Sequence, residues 1–553
     1  MQIAALFLTF FETSMNRKLC YSLTMLGFAA CAPMPNTPPV EQAPPPRLLV
    51  FITVDALRPD YFVRFDKHLI GGLARLYRNG AVFTNGFQDH GITETAPGHS
   101  ATMSGRFPVH TGISTNLTGV EDPNSPLIEV QGLGASPFRF RGTTVTDWLI
   151  AKDPRTRVLS VSRKDRGAIL PIGRSKQPVF WYSGNGNFTT STYYGATLPE
   201  WVREFNARKL AAAYAGRDWQ LLLPESEYPE PDSVPVESQG TGFTFPHVLS
   251  RNADSATRLL PDFPWMDDLT LAFALHGISA LDLGRGPQTD VLAMSLSTTD
   301  AVGHRYGPDS REVHDQVLRL DRILGQFLDS LFRIRNESDV VIALTADHGM
   351  SPFPGIRSYD PNGDVVRVNV HPLLLEMNTS LAAAGVKGTG LRNVRGIMVG
   401  HGFLFDSGVL ELDHAALGAA NVNADSLVER FRAAFLRTPG IARADRISEL
   451  AQRDTVTDHI ARRWLHAFQT TDTPALLVTP APYSSWFAAY GATHGTPNDV
   501  DARVPIIFYG AAFRPGRYEQ FARVVDMAPT LAQVLRVTPA EKLDGRPLSN
   551  AIR

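Results

Sequence analysis

Two hydrophobic rhythms alternate along the chain. Four short runs, Leu48–Val54, Val291–Leu296, Val340–Leu344 and Val504–Tyr509, are apolar almost without interruption and rich in β-branched residues. Runs of that length without polar alternation suit strands buried on both faces, as in a parallel sheet. Between the second and third runs, Val313, Val317, Leu320, Leu324, Phe327, Leu328 and Leu331 recur at i+3/i+4 spacing, which predicts a long amphipathic helix. Strand, helix, strand at that distance is a βαβ unit. The predicted class is therefore α/β, with a parallel sheet. A late helix is predicted to start at Asp526, with Pro529 in its first turn. Two stretches break the rhythm, about 162–287 (rich in Pro, Tyr, Trp and Gly) and about 351–483. Both read as cap segments inserted into one core spanning 47–550.

The first 46 residues do not read as fold. Asn16-Arg17-Lys18 is a basic start, Leu19–Phe28 a short apolar stretch, and Ala29-Ala30-Cys31 a small-residue cleavage site. That is the grammar of a secretory signal over 1–31. Cys31 directly after two alanines resembles the bacterial lipoprotein box, which makes Cys31 a lipidation site. A plain signal peptide with an incidental cysteine is the competing reading. Residues 32–46 carry seven prolines in fifteen positions, a stiff linker. The expected location is periplasmic or exported, with the lipid on Cys31 as the one hold on a membrane.

Composition narrows the function classes. With 53 Lys+Arg against 55 Asp+Glu, the net charge is −2, which argues against a general nucleic-acid or anionic-membrane binder. Two cysteines cannot build an all-cysteine zinc site, so metal chemistry must use His, Asp and Glu.

Those residues stand where the apolar runs end. Asp55 follows the first run. Asp300 and His304 follow the second, Asp347-His348 the third, and His494 sits in the Gly-rich loop Gly491–Thr496 before the fourth. In α/β sheets the ligand site lies at the carboxyl ends of the strands. Three Asp and three His on one rim suit two divalent ions, with zinc favoured by the donor set. Thr93-Glu94-Thr95-Ala96-Pro97-Gly98-His99 places a hydroxyl in a small-residue turn before a predicted helix. By itself that is an ordinary N-cap. Beside metal ions the Thr95 hydroxyl becomes a nucleophile.

Together these residues resemble the alkaline phosphatase superfamily, and within it the bacterial periplasmic phosphate-irrepressible alkaline phosphatases that use threonine. The matching pieces, in order, are Val54–Asp60, Thr95–Ala101, His110–Ile113 with Asn116, Thr143–Asp147, Ser162–Arg166, Phe188–Tyr194, Asp300–Gly307, Thr345–Gly349, Thr493–Gly495 and Asp526–Thr530. The resemblance implies an alkaline-phosphatase-like fold, a mainly parallel sheet between helices, and a set of roles. One zinc would be held by Asp300, His304 and His494, the other by Asp55, Asp347 and His348, with Thr95 bound to the second. Thr95 would form a phosphothreonine. Asn116, Lys164 and Arg166 would bind the phosphoryl oxygens. The implied substrates are small phosphomonoesters of broad range.

The residues themselves support the monoester reading. Arg163-Lys164-Asp165-Arg166 is cationic, and a guanidinium fork plus an ammonium suits the three free oxygens of a monoester. The alternative within the superfamily is a phosphodiesterase or nucleotide pyrophosphatase, whose members share the threonine and ligands but lack the Lys-x-Arg pair. A sulfatase is disfavoured, because no Cys/Ser-x-Pro-x-Arg motif surrounds Thr95. Of the other histidines, His99 and His110 match no ligand position, and His247 has no role readable from sequence.

If Cys31 carries the lipid, the mature protein sediments with membranes, and Cys31→Ser releases it or blocks its processing. Fractionation checks this. A wild-type protein wholly in the soluble exported fraction would sink the assignment.

Overall fold

Leu48–Val54 is buried at every position because it has neighbours on both edges and helices over the sheet. It pairs in parallel with Asp290–Leu296 on one side and Val340–Thr345 on the other. The registers set Val54 opposite Leu296 and Thr53 opposite Thr345, so the three strands end nearly level. Whatever follows each strand is delivered to one rim.

The computed structural model describes residues 44–353, 366–472, 474–486 and 491–553. Cys31, the signal segment and nearly all of the linker lie outside the described residues. From Pro45 to Arg553 the chain forms one compact unit. Its main sheet has nine strands. In spatial order they are Gly516–Arg523, Ala81–Phe87, Ile506–Tyr509, Val340–Thr345, Leu48–Val54, Asp290–Leu296, Val158–Ser162, Val179–Tyr182 and Phe188–Thr189. The sheet is mostly parallel and flanked by helices.

The fourth apolar run departs from expectation. Ile506–Tyr509 is buried in the sheet but antiparallel to both of its neighbours. An antiparallel strand buried on both faces has the same continuous apolar pattern as a parallel one, so the pattern cannot give direction.

The predicted helix is Arg311–Ile334, capped by Ser310, whose hydroxyl accepts from Val313 N. Val313, Val317, Leu320, Leu324, Leu328 and Leu331 form its buried stripe. It packs against Gly72–Asn79, Trp265–Ala280 and Thr298–Tyr306. Thr95–Thr102 and Asp165–Ile169 pack with each other, as do Met527–Leu535 and Val145–Lys152.

Within 162–287, Val179–Tyr182 and Phe188–Thr189 join the edge of the main sheet. This buries Trp181 and Tyr182 in the core. His247 acquires a partner, Glu312 Oε1, at 2.8 Å. Within 351–483 lies a second sheet of six strands, all antiparallel, from Arg392–Val394 to Pro474–Pro480. It has its own core, including Phe403, Phe405, Leu410, Phe431 and Phe435.

Gly98 locks the helix Thr95–Thr102 to the rim. A Cβ built on it would stand 2.1 Å from the Asp347 carbonyl oxygen. Only glycine lets that helix lie directly on the turn after Val340–Thr345. No helix among the described residues is long and apolar enough to cross a membrane.

Candidate active site

Asp55 leaves the first strand directly, and Asp347 and His348 follow Val340–Thr345. Asp300 lies in the first turn of Thr298–Tyr306, with His304 one turn on along the same helix. His494 arrives on its own loop and stacks on His348, with ring centroids 3.5 Å apart. All six residues predicted as ligands thus meet at one rim. Asp300, His304 and His494 can bring ligand atoms within 4.8 Å of one another, and so can Asp55, Asp300 and His348. Asp300 is therefore shared between two neighbouring trios. Asp347 stands just outside the second, with Oδ2 at 3.6 Å from His348 Nε2.

The histidines are poised as ligands. Nδ1 of His304 lies 2.8 Å from the Ala492 carbonyl, Nδ1 of His348 2.8 Å from that of Gly349, and Nδ1 of His494 2.8 Å from that of Thr93. A carbonyl only accepts, so each Nδ1 must carry the hydrogen, and each neutral ring keeps its lone pair on Nε2. Those Nε2 atoms face the carboxylates: His304 to Asp300 Oδ1 at 3.2 Å, His494 to the same oxygen at 3.6 Å, His348 to Asp55 Oδ1 at 3.3 Å. A neutral Nε2 facing a carboxylate oxygen is repulsive unless a cation lies between them; at His304 a proton can play that part, since against the effect of burial Asp300 raises its pKa.

Four buried atoms, Asp55 Oδ1, Asp300 Oδ1, Asp347 Oδ2 and His348 Nε2, have no hydrogen-bond partner. Burying several anionic acceptors without partners costs several kcal/mol, far more than a fold can spare. Orphaned oxygens and aligned imidazole lone pairs are what divalent cations require, so these residues fit a metal pair.

The electrostatics follow the same geometry. Burial, with the charges of Asp300 and Asp347, raises the Asp55 carboxyl above its ordinary range. Burial also works against Asp300, but Lys164 and His304 hold it well below. Burial, then His348 and His304, keeps His494 far below the usual imidazole value, hence neutral. Lys164 is the cation present: its Nζ lies 2.5 Å from Asp55 Oδ2, 2.6 Å from Asp300 Oδ2 and 3.4 Å from Thr95 Oγ1.

Thr95 is the first residue of its helix, not the cap; Glu94 takes the cap position in extended conformation. The Ala96 N–H donates to Asn116 Oδ1 at 2.9 Å, so it points to Asn116 rather than outward. With its carbonyl engaged, the Asn116 amide keeps its NH2 for another partner. Arg166 lies two residues beyond Lys164 and faces Asp165, at 3.6 Å.

Several residues that the sequence did not single out complete the site. Glu94 accepts from Asn116 N and from Ser407 Oγ, both at 2.6 Å. Ser407 comes from the second sheet, where Ser407-Gly408 is a two-residue hairpin turn with φ of 46° and 88°. Asp406 precedes it, and burial plus the charge of Glu94 pushes its carboxyl up to about 6. The available signals were the position of Glu94 beside Thr95 and the Ser-Gly hairpin dipeptide. His99 braces the helix: one ring nitrogen contacts the Thr95 carbonyl at 2.9 Å and the other Ser295 Oγ at 2.8 Å. His110 lies elsewhere, paired with Asp544 at 2.8 Å.

Comparison with known proteins gives the family. The profile of the type I phosphodiesterase / nucleotide pyrophosphatase family matches residues 49–387. The chain belongs to this family, within the alkaline phosphatase superfamily. It is 31% identical to alkaline phosphatase PhoV of Synechococcus elongatus, over 92% of this chain and 93% of that one. It is 28% identical to alkaline phosphatase PafA of Elizabethkingia meningoseptica, over 96% and 98%. The crystal structure of wild-type PafA superposes with a TM-score of 0.82 at 27% identity, covering 92% of this chain and 99% of that one. The protein is an enzyme of that superfamily.

Metal removal tests the reading of the rim. Chelation should lower the unfolding midpoint, and zinc should restore it until two equivalents per chain are bound. At a free concentration 100 times Kd, each ion stabilises the fold by about 2.7 kcal/mol. Calorimetry with elemental analysis measures both. Saturation at one equivalent would contradict a paired site.

Proposed function

We propose that the protein hydrolyses small phosphate monoesters through a phosphothreonine on Thr95. The observation that carries this reading is the three imidazoles, each turned by a backbone carbonyl so that its lone pair meets a buried carboxylate beside the Thr95 hydroxyl. Asp300, His304 and His494 would hold one zinc ion, and Asp55, Asp347 and His348 the other, with Thr95 as a further ligand. Asp347 is preferred in the second set because Asp300 already serves the first, and Asp347 Oδ2, which lies 3.6 Å from His348 Nε2, accepts no hydrogen bond. When bound, two such ions supply Lewis-acid charge and lower the pKa of a coordinated hydroxyl.

The chain's own residues do the rest. Thr95 Oγ attacks phosphorus, the alcohol leaves from the opposite side, and water then hydrolyses the phosphothreonine. Lys164 Nζ, within 3.4 Å of Thr95 Oγ1, is placed to meet a non-bridging oxygen. The Asn116 amide supplies a neutral donor, held by Ala96 N and Glu94. Arg166 reaches the phosphoryl group by swinging from Asp165, with which its pairing is weak at 3.6 Å. Export through the 1–31 signal belongs to the same reading.

The nucleophile is directly testable. Acid-quenched wild type should carry phosphate on Thr95. Thr95→Ala should still bind zinc yet lose turnover on the order of 10³-fold or more. Label on Ser100 or Ser104 instead would overturn the assignment.

The family's name also covers diesterases, so the choice between esters needs its own test. A monoester offers Lys164 and Arg166 oxygens that a diester lacks or has esterified. Charge-assisted contacts contribute roughly 1.5–3 kcal/mol each. Replacing both residues by Ala should therefore cost monoester turnover on the order of 10²–10⁴-fold, and diester turnover far less. Equal losses in a variant that still holds two zinc ions would favour the diesterase reading.

A further inference from the structure

A cavity of about 850 Å³ opens beside His304, His494 and Asn116 and extends along the second sheet. On the proposed function, an alcohol leaving in line from a group attacked by Thr95 departs on the His304 and His494 side, into this space. The charge of its walls is uneven. Glu94 and Asp406 both face it and share one hydroxyl, Ser407 Oγ, at 2.6 and 3.0 Å. The nearby Arg395 is paired with Glu121 at 2.5 Å, so its charge is offset. Trp486 is the aromatic ring on this wall; Phe405 backs it, buried, meeting Trp486 edge to face at 5.6 Å and 79° and stacking on Phe435. An indole ring near carboxylates attracts a weakly hydrated cation, through its ring quadrupole and their direct charge. A positive group there also offsets the repulsion between Glu94 and Asp406. Among the described residues no ion pair joins a cation to Glu94 or Asp406, so a second anion would meet two carboxylates.

We propose that this cavity receives the leaving alcohol and selects one bearing an alkylammonium group, with Asp406 and Glu94 as counter-charge and Trp486, backed by Phe405, as the apolar wall. The preferred substrates are then phosphate monoesters of amino alcohols, and esters whose alcohol carries a carboxylate or further phosphate are disfavoured.

The test compares choline phosphate with 3,3-dimethylbutyl phosphate, its uncharged isostere, on the zinc-loaded enzyme. In Asp406→Asn the ratio of kcat/KM for the charged over the neutral ester should fall about tenfold. Using the ratio cancels any general loss of activity. A second measurement needs no variant: tetramethylammonium should inhibit hydrolysis of the neutral ester competitively, and tert-butanol, of similar size, should not. A change in the ratio below about twofold, or equal inhibition by the two small molecules, overturns the inference while monoester hydrolysis stands. If neither ester releases phosphate, the proposed function falls and this inference with it.

Discussion

The rim is governed by the mutual repulsion of three buried carboxylates. Parallel pairing in level register makes this unavoidable: once Leu48–Val54 sits between Asp290–Leu296 and Val340–Thr345, the residues after each strand share one small volume. Asp55, Asp300 and Asp347 are all nearly inaccessible to solvent. At low effective dielectric such charges cannot coexist without compensation. The surrounding structure reads as that compensation. Lys164 reaches in between two of them, His99 lies 3.2 Å from the third, and three imidazoles present Nε2 atoms that a proton or a metal cation must reconcile with the oxygens opposite. An arrangement so costly without cations amounts to stored affinity for them.

The carbonyls at Ala492, Gly349 and Thr93 matter as much as the imidazoles. An unanchored histidine could place its hydrogen on either nitrogen or turn its ring away. Backbone acceptors remove both freedoms before any ion arrives, so less entropy is lost on binding. They also tie the loop of His494 to two distant parts of the chain, since Thr93 belongs to the approach to Thr95 and the Ala492 carbonyl holds His304.

The sequence made some of this legible and hid the rest, for definite reasons. Strands buried on both faces announce themselves as continuous apolar runs, and polar residues at their ends are conspicuous by contrast. That is why Asp55, Asp300, His304, Asp347, His348 and His494 could be picked out. Helix Arg311–Ile334 was legible because one face repeats with helical period. Direction was not: Ile506–Tyr509 looks identical whichever way it runs. Nor were Glu94, Asp406 and Ser407, whose roles depend on contacts across about 300 residues that no local pattern encodes. The second sheet was read only as an interruption, because short alternating strands leave a weak signal in a segment that also contains helices.

That division of legibility follows a division of labour. The parallel sheet supplies the charge cluster, and its geometry allows little change, since one register shift would scatter the three carboxylates. The second sheet supplies the wall of the adjoining cavity through Phe405, Asp406 and Trp486, and its own core is separate from that of the main sheet. Glu94 joins the two: it abuts Thr95 in sequence, holds Asn116 through its backbone, and accepts the hydroxyl of Ser407 at the tip of a hairpin. A change in the hairpin can thus alter what enters the cavity without moving a single residue of the rim. A change at Glu94 would disturb both. Fold and chemistry can persist while specificity drifts, because the cavity wall hangs on a sheet with its own core, joined to the segment of the nucleophile by the Glu94–Ser407 hydrogen bond, the Glu121–Arg395 pair and the cluster that unites Ile92 with Val409 and Leu477.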